Sequence, residues 1–271
     1  MSDTTGFLAG TNVGKPLRGR VAIVTGAAAG IGAAIGSALA AEGATVVAMD
    51  RDGEGAAAIA QAWGPTALSM ATDVSQEQSV ATSFESVVAQ AGRVDILVNA
   101  AGVLGETSAL LDVTSSEWDR IFAVNARGSF LCIKEAARHM VTGGQGGSIV
   151  NVASIAAKEG RIEFAPYAAS KAAVLSLTWS SAISLAPQRI RVNALCPAAV
   201  DTEFWNRIED IKQGQGAEAG ATRAARAAAI PLGRFATPHE VAAAAVYLSS
   251  DAAGFVTGTS IDLTGGAHTG S

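Results

Sequence analysis

The sequence predicts an α/β fold of the Rossmann type, a doubly wound parallel sheet of seven strands with helices on both faces. Short apolar runs rich in β-branched residues alternate with Ala-rich segments of helical length, and a glycine-rich turn joins the first run to the first such segment. Near-continuous apolar strands that alternate with helices are typical of a parallel sheet covered on both faces. The chain has 271 residues, of which 49% are hydrophobic and 16% charged, so it can bury such a core within one domain.

The strands are predicted from apolar runs at residues 21–24, 45–49, 67–71, 95–98, 148–152, 190–194 and 259–263. Helices are predicted at residues 31–42, 56–63, 75–91, 116–139 and 167–185, with Ser75 as the N-cap of the third. Residues 1–19 are polar and contain glycine, and we interpret them as a flexible leader. A single Rossmann-type domain is predicted over residues 20–271.

One stretch departs from the alternation of strands and helices. Residues 201–229 are polar, contain several glycines and have helical character only in parts. Long insertions in compact domains tend to be lids or binding loops, so we interpret this stretch as a substrate lid. A solvated helical connector is the alternative.

The composition limits the kinds of partner that the protein is expected to bind. Basic residues number 19 and acidic residues 24, a net charge of -5, and this argues against nucleic acid because binding to phosphate backbones usually needs a basic patch. No apolar run approaches the roughly 20 residues that span a membrane, and the N-terminus lacks the pattern of a secretory signal. Cys132 and Cys196 form no C-x-x-C pair, so we expect buried reduced thiols, no metal site and a cytoplasmic location.

A glycine-rich segment, Thr25 to Gly32, follows the first strand and opens the first helix. Glycines there permit a tight turn and a close approach to a pyrophosphate, and the helix N-terminus offers free N–H groups. The spacing is G-x-x-x-G-x-G rather than the general G-x-G-x-x-G. Its position between strand and helix favours dinucleotide binding over the alternative, an ordinary turn.

Asp50 ends the second strand, 24 residues after Gly26. An acidic residue about 20 residues after the first glycine binds the adenosine ribose, and it would repel the 2′-phosphate of NADP. Arg51 could pair with that phosphate, so NADP stays open, but the carboxylate favours NAD. Asp73, after the third strand, is a candidate contact to adenine, with a helix cap alongside Ser75 as the alternative.

Tyr167 and Lys171 lie four residues apart on a predicted helix and therefore share one face. A free tyrosine has a pKa near 10, too high for an efficient base at neutral pH. A nearby ammonium group lowers the pKa of the phenol, which makes Tyr167 a candidate acid or base for an alcohol proton. Such pairs also occur by chance on helix surfaces.

The chain resembles the short-chain dehydrogenase/reductase family from about residue 17 to residue 268. The resemblance rests on motifs that follow the family's order, with Ser154 placed 13 residues before the tyrosine. These motifs are Thr25-Gly26-x-x-x-Gly30-Ile31-Gly32, Asp73-Val74, Asn99-Ala100-Ala101-Gly102, Asn125, Ser154 and Tyr167-x-x-x-Lys171.

The resemblance implies four catalytic roles. Tyr167 donates and accepts the proton, Ser154 binds and orients the substrate oxygen, Lys171 binds the nicotinamide ribose and lowers the tyrosine pKa, and Asn125 holds a water of the proton relay. With Asp50 and Arg51, the residues expected to bind NAD are Gly26, Ala29, Gly30, Ile31, Gly32, Asp73, Val74, Asn99, Ala100, Gly102, Tyr167, Lys171, Pro197, Val200 and Thr202. Those expected to contact substrate are Ser154, Tyr167, Arg161 and Trp205. The family usually has Pro-Gly where this chain has Pro197-Ala198, so an added methyl is expected to narrow the pocket near the nicotinamide.

These features together predict an NAD(H)-dependent oxidoreductase that interconverts a small secondary alcohol and its ketone. Residues 171–178 and 200–205 are similar to bacterial polyol and acetoin dehydrogenases, which favours a polyol, a sugar derivative or a hydroxy-ketone. Residues 231–234 and 262–266 are similar to reductases of acyl-carrier-protein substrates, so a 3-oxoacyl-thioester reductase is one alternative. A non-catalytic dinucleotide-binding regulatory protein is another.

The apolar segments 167–185 and 256–263, together with the family's usual assembly, predict a homotetramer, with a dimer as second choice.

Overall fold

The sheet positions the site, and it is seen in a computed structural model that describes residues 15–106, 108–160, 162–214 and 216–269. Within these residues the strands are β1 (Val21–Thr25), β2 (Thr45–Asp50), β3 (Leu68–Ala71), β4 (Ile96–Asn99), β5 (Gly147–Val152), β6 (Ile190–Pro197) and β7 (Ser260–Leu263). They pair in parallel in the order β3-β2-β1-β4-β5-β6-β7. The predicted fold class and strand number are confirmed.

Helices cover both faces of the sheet. In the described residues they are α1 (Gly30–Ala41), α2 (Gly53–Trp63), α3 (Glu77–Ala91), α4 (Ser115–Phe122), α5 (Ser129–Gly143), α6 (Ala165–Leu185), α7 (Glu203–Gly214), α8 (Ala221–Ala228) and α9 (Pro238–Ser249). Alternate residues of β1 pack into two different hydrophobic clusters. Ala22 and Val24 pack with α1, α2 and α9, whereas Ile23 packs with Phe84 of α3 and Leu131 of α5. Strands buried on both faces explain why the sequence shows apolar runs instead of an apolar–polar alternation.

The strand order reverses between β1 and β4, since the chain runs outward from β1 to β3 and then crosses back to β4. The crevice at the carboxyl ends of the strands beside such a reversal is where open α/β sheets bind ligands. The glycine-rich turn after β1 and the Asn99–Gly102 segment after β4 both lie at this crevice.

The helix predicted over residues 116–139 is interrupted, which corrects that prediction. A single π-helical segment, Ala123–Gly128, separates α4 from α5 and contains the buried Asn125. At Gly128 a Cβ atom would lie 2.9 Å from the Val74 side chain, so the helix passes close to the loop after β3. The sequence gives no local signal for this segment, because π-bulges arise from such packing and often occur at functional sites.

Two smaller expectations also need correction. The N-cap of α3 is Gln76, not Ser75, whose hydroxyl donates to Asp73 instead. The packed part of the chain begins before residue 20, because the Leu17 side chain is buried and its N–H donates to the carbonyl of Glu42. Residues 1–14 of the predicted leader lie outside the described residues. No helix among the described residues has the length and apolarity needed to cross a membrane.

Candidate active site

A cleft of about 470 Å³ opens at the carboxyl edge of the sheet. One end lies at Asp50, the last residue of β2, and the other lies between Tyr167 and the start of α7. Of the residues predicted to bind cofactor or substrate, it is lined by Gly26, Ala29, Gly30, Ile31, Gly32, Asp50, Ala100, Gly102, Ser154, Tyr167, Lys171, Pro197, Val200, Thr202 and Trp205. Residues that are 179 positions apart in the sequence therefore share one cavity.

The glycine-rich turn is shaped to admit a phosphate group. Gly26 and Gly30 have φ angles of 66° and 58°, which favour glycine. A Cβ at Gly26 would lie 2.7 Å from the backbone of Ala101, and one at Gly32 would overlap the carbonyl oxygen of Gly26. No side chain of the described residues caps α1 at Ala29, so the first N–H groups of this helix face the cleft uncapped. The turn therefore fits a dinucleotide pyrophosphate.

Two carboxylates lie at the adenosine end of the cleft. Asp50 accepts hydrogen bonds from the N–H groups of Ala28 (3.1 Å) and Asp52 (3.0 Å), which fixes the turn against β2. The sequence analysis missed Asp52, which lines the cleft and caps α2 by accepting from Gly55 at 3.0 Å. Arg51 is exposed and is not among the described residues that line the cleft. Two acids without a lining arginine disfavour a 2′-phosphate and favour NAD.

The Asp73–Val74 pair forms a turn rather than part of the cleft wall in the described structure. One carboxylate oxygen of Asp73 accepts from the N–H of Ser75 at 2.9 Å and from its hydroxyl at 2.7 Å. Val74 is buried in the core against Gly128. A contact between Asp73 and adenine therefore stays a prediction.

Lys171 is almost completely buried beneath the cleft. Its Nζ donates to the carbonyl of Val152 at 2.8 Å and lies 5.9 Å from the centroid of the Tyr167 ring. Burial disfavours the charged form and lowers the pKa of Lys171 to about 8. A Cβ at Gly102 would lie 3.3 Å from this ammonium, so the glycine leaves room beside it. The arrangement places a cation next to the only tyrosine that lines the described cleft.

Ser154 follows β5 and faces the same space as Tyr167. Its Oγ accepts a hydrogen bond from the N–H of Ala156 at 3.2 Å, which fixes the rotamer of the side chain. A hydroxyl oxygen that accepts one bond still has its own proton to donate. Ser154 can therefore donate that proton to a substrate oxygen held between it and Tyr167.

Asn125 lies behind the catalytic residues and outside the cleft lining of the described residues. Its amide accepts from the N–H of Val103 (2.8 Å) and donates to the Val103 carbonyl and to Ser170 Oγ (both 2.9 Å). The amide thus ties the loop after β4 to α6, one residue before Lys171. The structure gives the Asn125 side chain a positioning role, and its predicted part in a water relay stays a prediction.

Asn99 also lies behind the cleft surface. Its Nδ2 donates to Asn151 Oδ1, and Asn151 Nδ2 donates to Thr178 Oγ1, each at 2.9 Å. This chain of amides ties β4 and β5 to α6. Thr25, which the sequence analysis treated only as part of a motif, accepts from the N–H groups of Ala100 and Ala101 at 3.1 Å. These bonds hold the strand ends that form the floor of the cleft.

The segment predicted as a lid, residues 201–229, contains α7 and α8 and begins at the cleft. The Phe204 ring lies 6.0 Å from that of Tyr167, and Trp205 packs edge-on against Phe235 at 4.9 Å. Lys212 of α7 donates to both carboxylate oxygens of Glu163, at 2.8 and 2.6 Å. Because Glu163 precedes Tyr167 by four residues, this ion pair joins the segment to the loop just before the helix that carries the tyrosine.

Comparison with known proteins decides the family. The family model described as "Enoyl-(Acyl carrier protein) reductase" (adh_short_C2) matches residues 26–268. The chain belongs to the short-chain dehydrogenase/reductase family of oxidoreductases. Among its relatives, cis-4-hydroxycyclohexanecarboxylate dehydrogenase of Sinomonas cyclohexanicum is 42% identical, over 94% of this chain and 98% of that protein. D-threitol dehydrogenase of Mycolicibacterium smegmatis is 40% identical, over 92% and 93%. A crystal structure of NAD+-bound xylitol dehydrogenase superimposes with a TM-score of 0.89 at 31% identity, covering 93% of this chain and all of that one.

This short-chain dehydrogenase departs from the family's usual Pro-Gly at Ala198. The residue lines the cleft beside Pro197, and its N–H donates to the carbonyl of Leu263 at 3.0 Å. Arg161, predicted to contact substrate, lies outside the described residues. The cleft is also lined by Ala28 within the glycine-rich turn, by Val152 and Ala153 where β5 ends, and by Glu203 and Phe204 at the start of the segment predicted as a lid. No group of three or more described His, Cys, Asp or Glu residues could hold a metal ion.

Proposed function

We propose that this chain is an NAD(H)-dependent dehydrogenase that interconverts a small secondary alcohol and the corresponding ketone. One observation supports it above the rest: a single cleft joins a glycine turn shaped for a pyrophosphate to Ser154, Tyr167 and Lys171. A dinucleotide that spans this cleft would bring its nicotinamide to the proton-transfer residues. The named activities of the alcohol dehydrogenases among its relatives support the same reaction.

When bound, NAD+ supplies the acceptor for the hydride that leaves the carbinol carbon. The chain's own residues manage the oxygen and its proton. Ser154 donates a hydrogen bond that holds the substrate oxygen, and Tyr167 takes the hydroxyl proton during oxidation and returns it during reduction. Lys171 stabilises the phenolate through its charge and is placed to bind the nicotinamide ribose. Asn125 keeps the helix that carries both residues in register with the cleft.

Reduction of a 3-oxoacyl thioester is the second candidate, and the similarity to a relative named (3R)-3-hydroxyacyl-CoA dehydrogenase supports it. It would use the same four residues, so only the substrate separates the two. A regulatory dinucleotide binder is the third candidate, but it has no need of proton-transfer groups. Binding of NADH without turnover of any alcohol or thioester would favour that reading.

We also propose that the active form is a homotetramer. Trp179 and Ile183 lie four residues apart on α6 and expose 48% and 79% of their surface. Large apolar side chains that lie exposed beside one another are typical of an interface between subunits.

Both cysteines, Cys132 and Cys196, are buried free thiols, which supports the cytoplasmic location that the sequence predicts.

The test is a turnover assay with NAD and NADP over secondary alcohols, with acetoacetyl thioesters assayed in the reducing direction. We expect alcohol oxidation with NAD preferred to NADP. Tyr167→Phe should lower kcat by about 10²-fold or more while the affinity for NADH changes little, because the ring remains and only the acid–base group is lost. Near-normal turnover in Tyr167→Phe, or a faster reaction with NADP at low concentration, would contradict the proposal.

A further inference from the structure

The charged side chains around the catalytic residues are already paired with one another. In residues 155–160 and 162–166, the described parts of the loop between Ser154 and Tyr167, the charged residues are Lys158, Glu159 and Glu163. Lys158 donates to Asp262 at 2.9 and 3.0 Å, Glu159 meets His268 at 3.0 Å, and Glu163 binds Lys212. Lys158 and Glu163 each form an ion pair with a residue of opposite charge, and Glu159 contacts a histidine, so none of these three residues offers an unpaired cation to a substrate charge.

The wall of the cleft opposite Tyr167 is aromatic. Phe204 is tilted at 46° to the Tyr167 ring and exposes 36% of its surface toward the open space. Trp205 lines the same part of the cleft, and its contact with Phe235 holds the indole in place. Arg223 lies 4.7 Å from the Phe235 ring centroid and supports that pair from the other side. The surface offered to a substrate is thus aromatic, apolar and braced by its neighbours.

Few polar groups remain for additional hydroxyls. Among the described lining residues at this end, Ser154 and Tyr167 are occupied by the reacting oxygen. The hydroxyl of Thr202 donates to the carbonyl of Val200 at 3.4 Å. Glu203 is exposed at the N-terminus of α7 and adds a negative charge. Lys171 is the one cation among the described lining residues, and it is buried beneath Tyr167.

We infer that the substrate is an uncharged alicyclic alcohol or ketone, whose apolar ring lies against Phe204 and Trp205. The inference rests on the proposed function and narrows its substrate. An open-chain polyol would lose hydrogen bonds to water at hydroxyls that find no partner on the aromatic wall. A carboxylate on the ring would lose hydration, gain no unpaired cation among the described residues and meet the charge of Glu203.

The experiment compares kcat/KM for NAD-linked oxidation of matched alcohols. Methyl 4-hydroxycyclohexanecarboxylate and 4-hydroxycyclohexanecarboxylate differ in charge and little in shape, while 4-methylcyclohexanol carries no second polar group. Threitol and xylitol represent open-chain polyols. We expect the ester and 4-methylcyclohexanol to exceed both the acid and the polyols by about tenfold or more, the usual scale when polar groups are left unpaired.

Phe204→Ala tests the aromatic wall directly. It should lower kcat/KM for the alicyclic alcohols by about tenfold and leave the polyol values nearly unchanged, because only the ring contact is lost. Phe255→Ala is the control, since Phe255 is fully exposed and precedes β7, at the opposite edge of the sheet from the cleft. It should change neither value.

The outcomes separate the two proposals. Faster oxidation of the acid or of the polyols, with NAD as cofactor, overturns the substrate inference and leaves the proposed dehydrogenase standing. Equal losses for all alcohols in Phe204→Ala also overturn it, because the residue would then act on the whole site. Binding of NADH without oxidation of any alcohol overturns both.

Discussion

Lys171 carries its charge in a place where water cannot reach it. Its folded-state pKa of about 8 lies below the ordinary value of 10.5, because burial disfavours the ammonium form. A depressed pKa in a cationic group means that the unfolded chain binds the proton more tightly. The lysine therefore destabilises the fold fully below pH 8, and this effect disappears as the pH rises toward 10.5. The site retains the cation because it acts on Tyr167, not because it stabilises the fold.

Replacing Lys171 should reveal this destabilisation as a change in how the unfolding free energy depends on pH. Between pH 7.5 and 9.5 the unfolding free energy of the wild type should rise, relative to that of Lys171→Met, by about 2 kcal/mol. Thermal or urea unfolding without cofactor, at equal protein concentration, measures the difference. Lys134→Met is the control, because Lys134 lies on the surface of α5 and pairs with the exposed Glu77. Parallel pH curves for the wild type and Lys171→Met would show that burial does not perturb this group.

At the scale of single residues, the sequence predicts what local spacing controls. Gly26, Gly30 and Gly32 are fixed by one turn, and Tyr167 and Lys171 by one helix face, so their patterns are visible in the chain. The side-chain amide of Asn125 is different, since the two residues that it binds, Val103 and Ser170, lie 22 and 45 residues away. Its amide needs the assembled sheet before it has anything to bind. For the same reason the pairing of Glu163 with Lys212, 49 residues apart, has no signal in the sequence.

Among the elements, the strands and the helices up to α6 were predicted from regular patterns, whereas α9 and the interruption between α4 and α5 were not. Apolar runs marked all seven strands of the described sheet, although β6 extends to Pro197, three residues beyond its predicted end. The π-helical segment Ala123–Gly128 depends on a contact with Val74, which follows a different strand. The Ser75 cap was wrong because Asp73 competes for the serine hydroxyl. The π-helical segment thus reflects a tertiary contact, whereas the wrong cap reflects a competing hydrogen bond between residues two positions apart.

The insertion that carries α7 gives a prediction at this scale. If residues 201–229 are a lid, the Lys212–Glu163 pair should hold it toward Tyr167. The pair is partly exposed, with 25% and 37% of the side-chain surfaces open, so its loss should have a modest effect. Lys212→Met should raise the substrate KM by about three- to fivefold, leave NADH affinity little changed and speed cleavage of the segment by chymotrypsin.

Arg20→Met provides the matched control for the lid. Arg20 forms an ion pair with Asp251 and precedes β1, at the edge of the sheet opposite the cleft. This variant should keep the wild-type KM and the wild-type rate of chymotrypsin cleavage within residues 201–229. Unchanged kinetics and unchanged proteolysis in Lys212→Met, with and without ligands, would instead identify the segment as a rigid connector.

In the whole molecule, the candidate active-site cleft and the exposed apolar surface lie on different sides. The cleft lies at the carboxyl edge of the sheet, whereas α5 and α6 present a groove of about 740 Å³ lined by Phe130, Ile133, Val141 and Leu177. Ser180, Ser181 and Ser184 also line this groove, and small residues allow helices to approach closely. Because α6 carries Tyr167 and Lys171 near its start, a partner packed against its later turns would brace the catalytic helix.

Association of chains through the α5–α6 face should therefore determine both the molecular mass of the protein and its activity. We expect light scattering at micromolar concentration to give four chain masses for the wild type, because a symmetric closed assembly buries the exposed apolar side chains of α5 and α6. Ile183→Asp places a charge on the exposed apolar surface of α6 and should shift the protein toward smaller species, with a loss of turnover that grows on dilution. Leu111→Asp, at a residue 96% exposed in a turn before α4, should leave the tetramer intact. A wild type that remains monomeric while fully active would contradict the proposed assembly. It would also require another account of why α6 leaves Trp179 and Ile183 open to water.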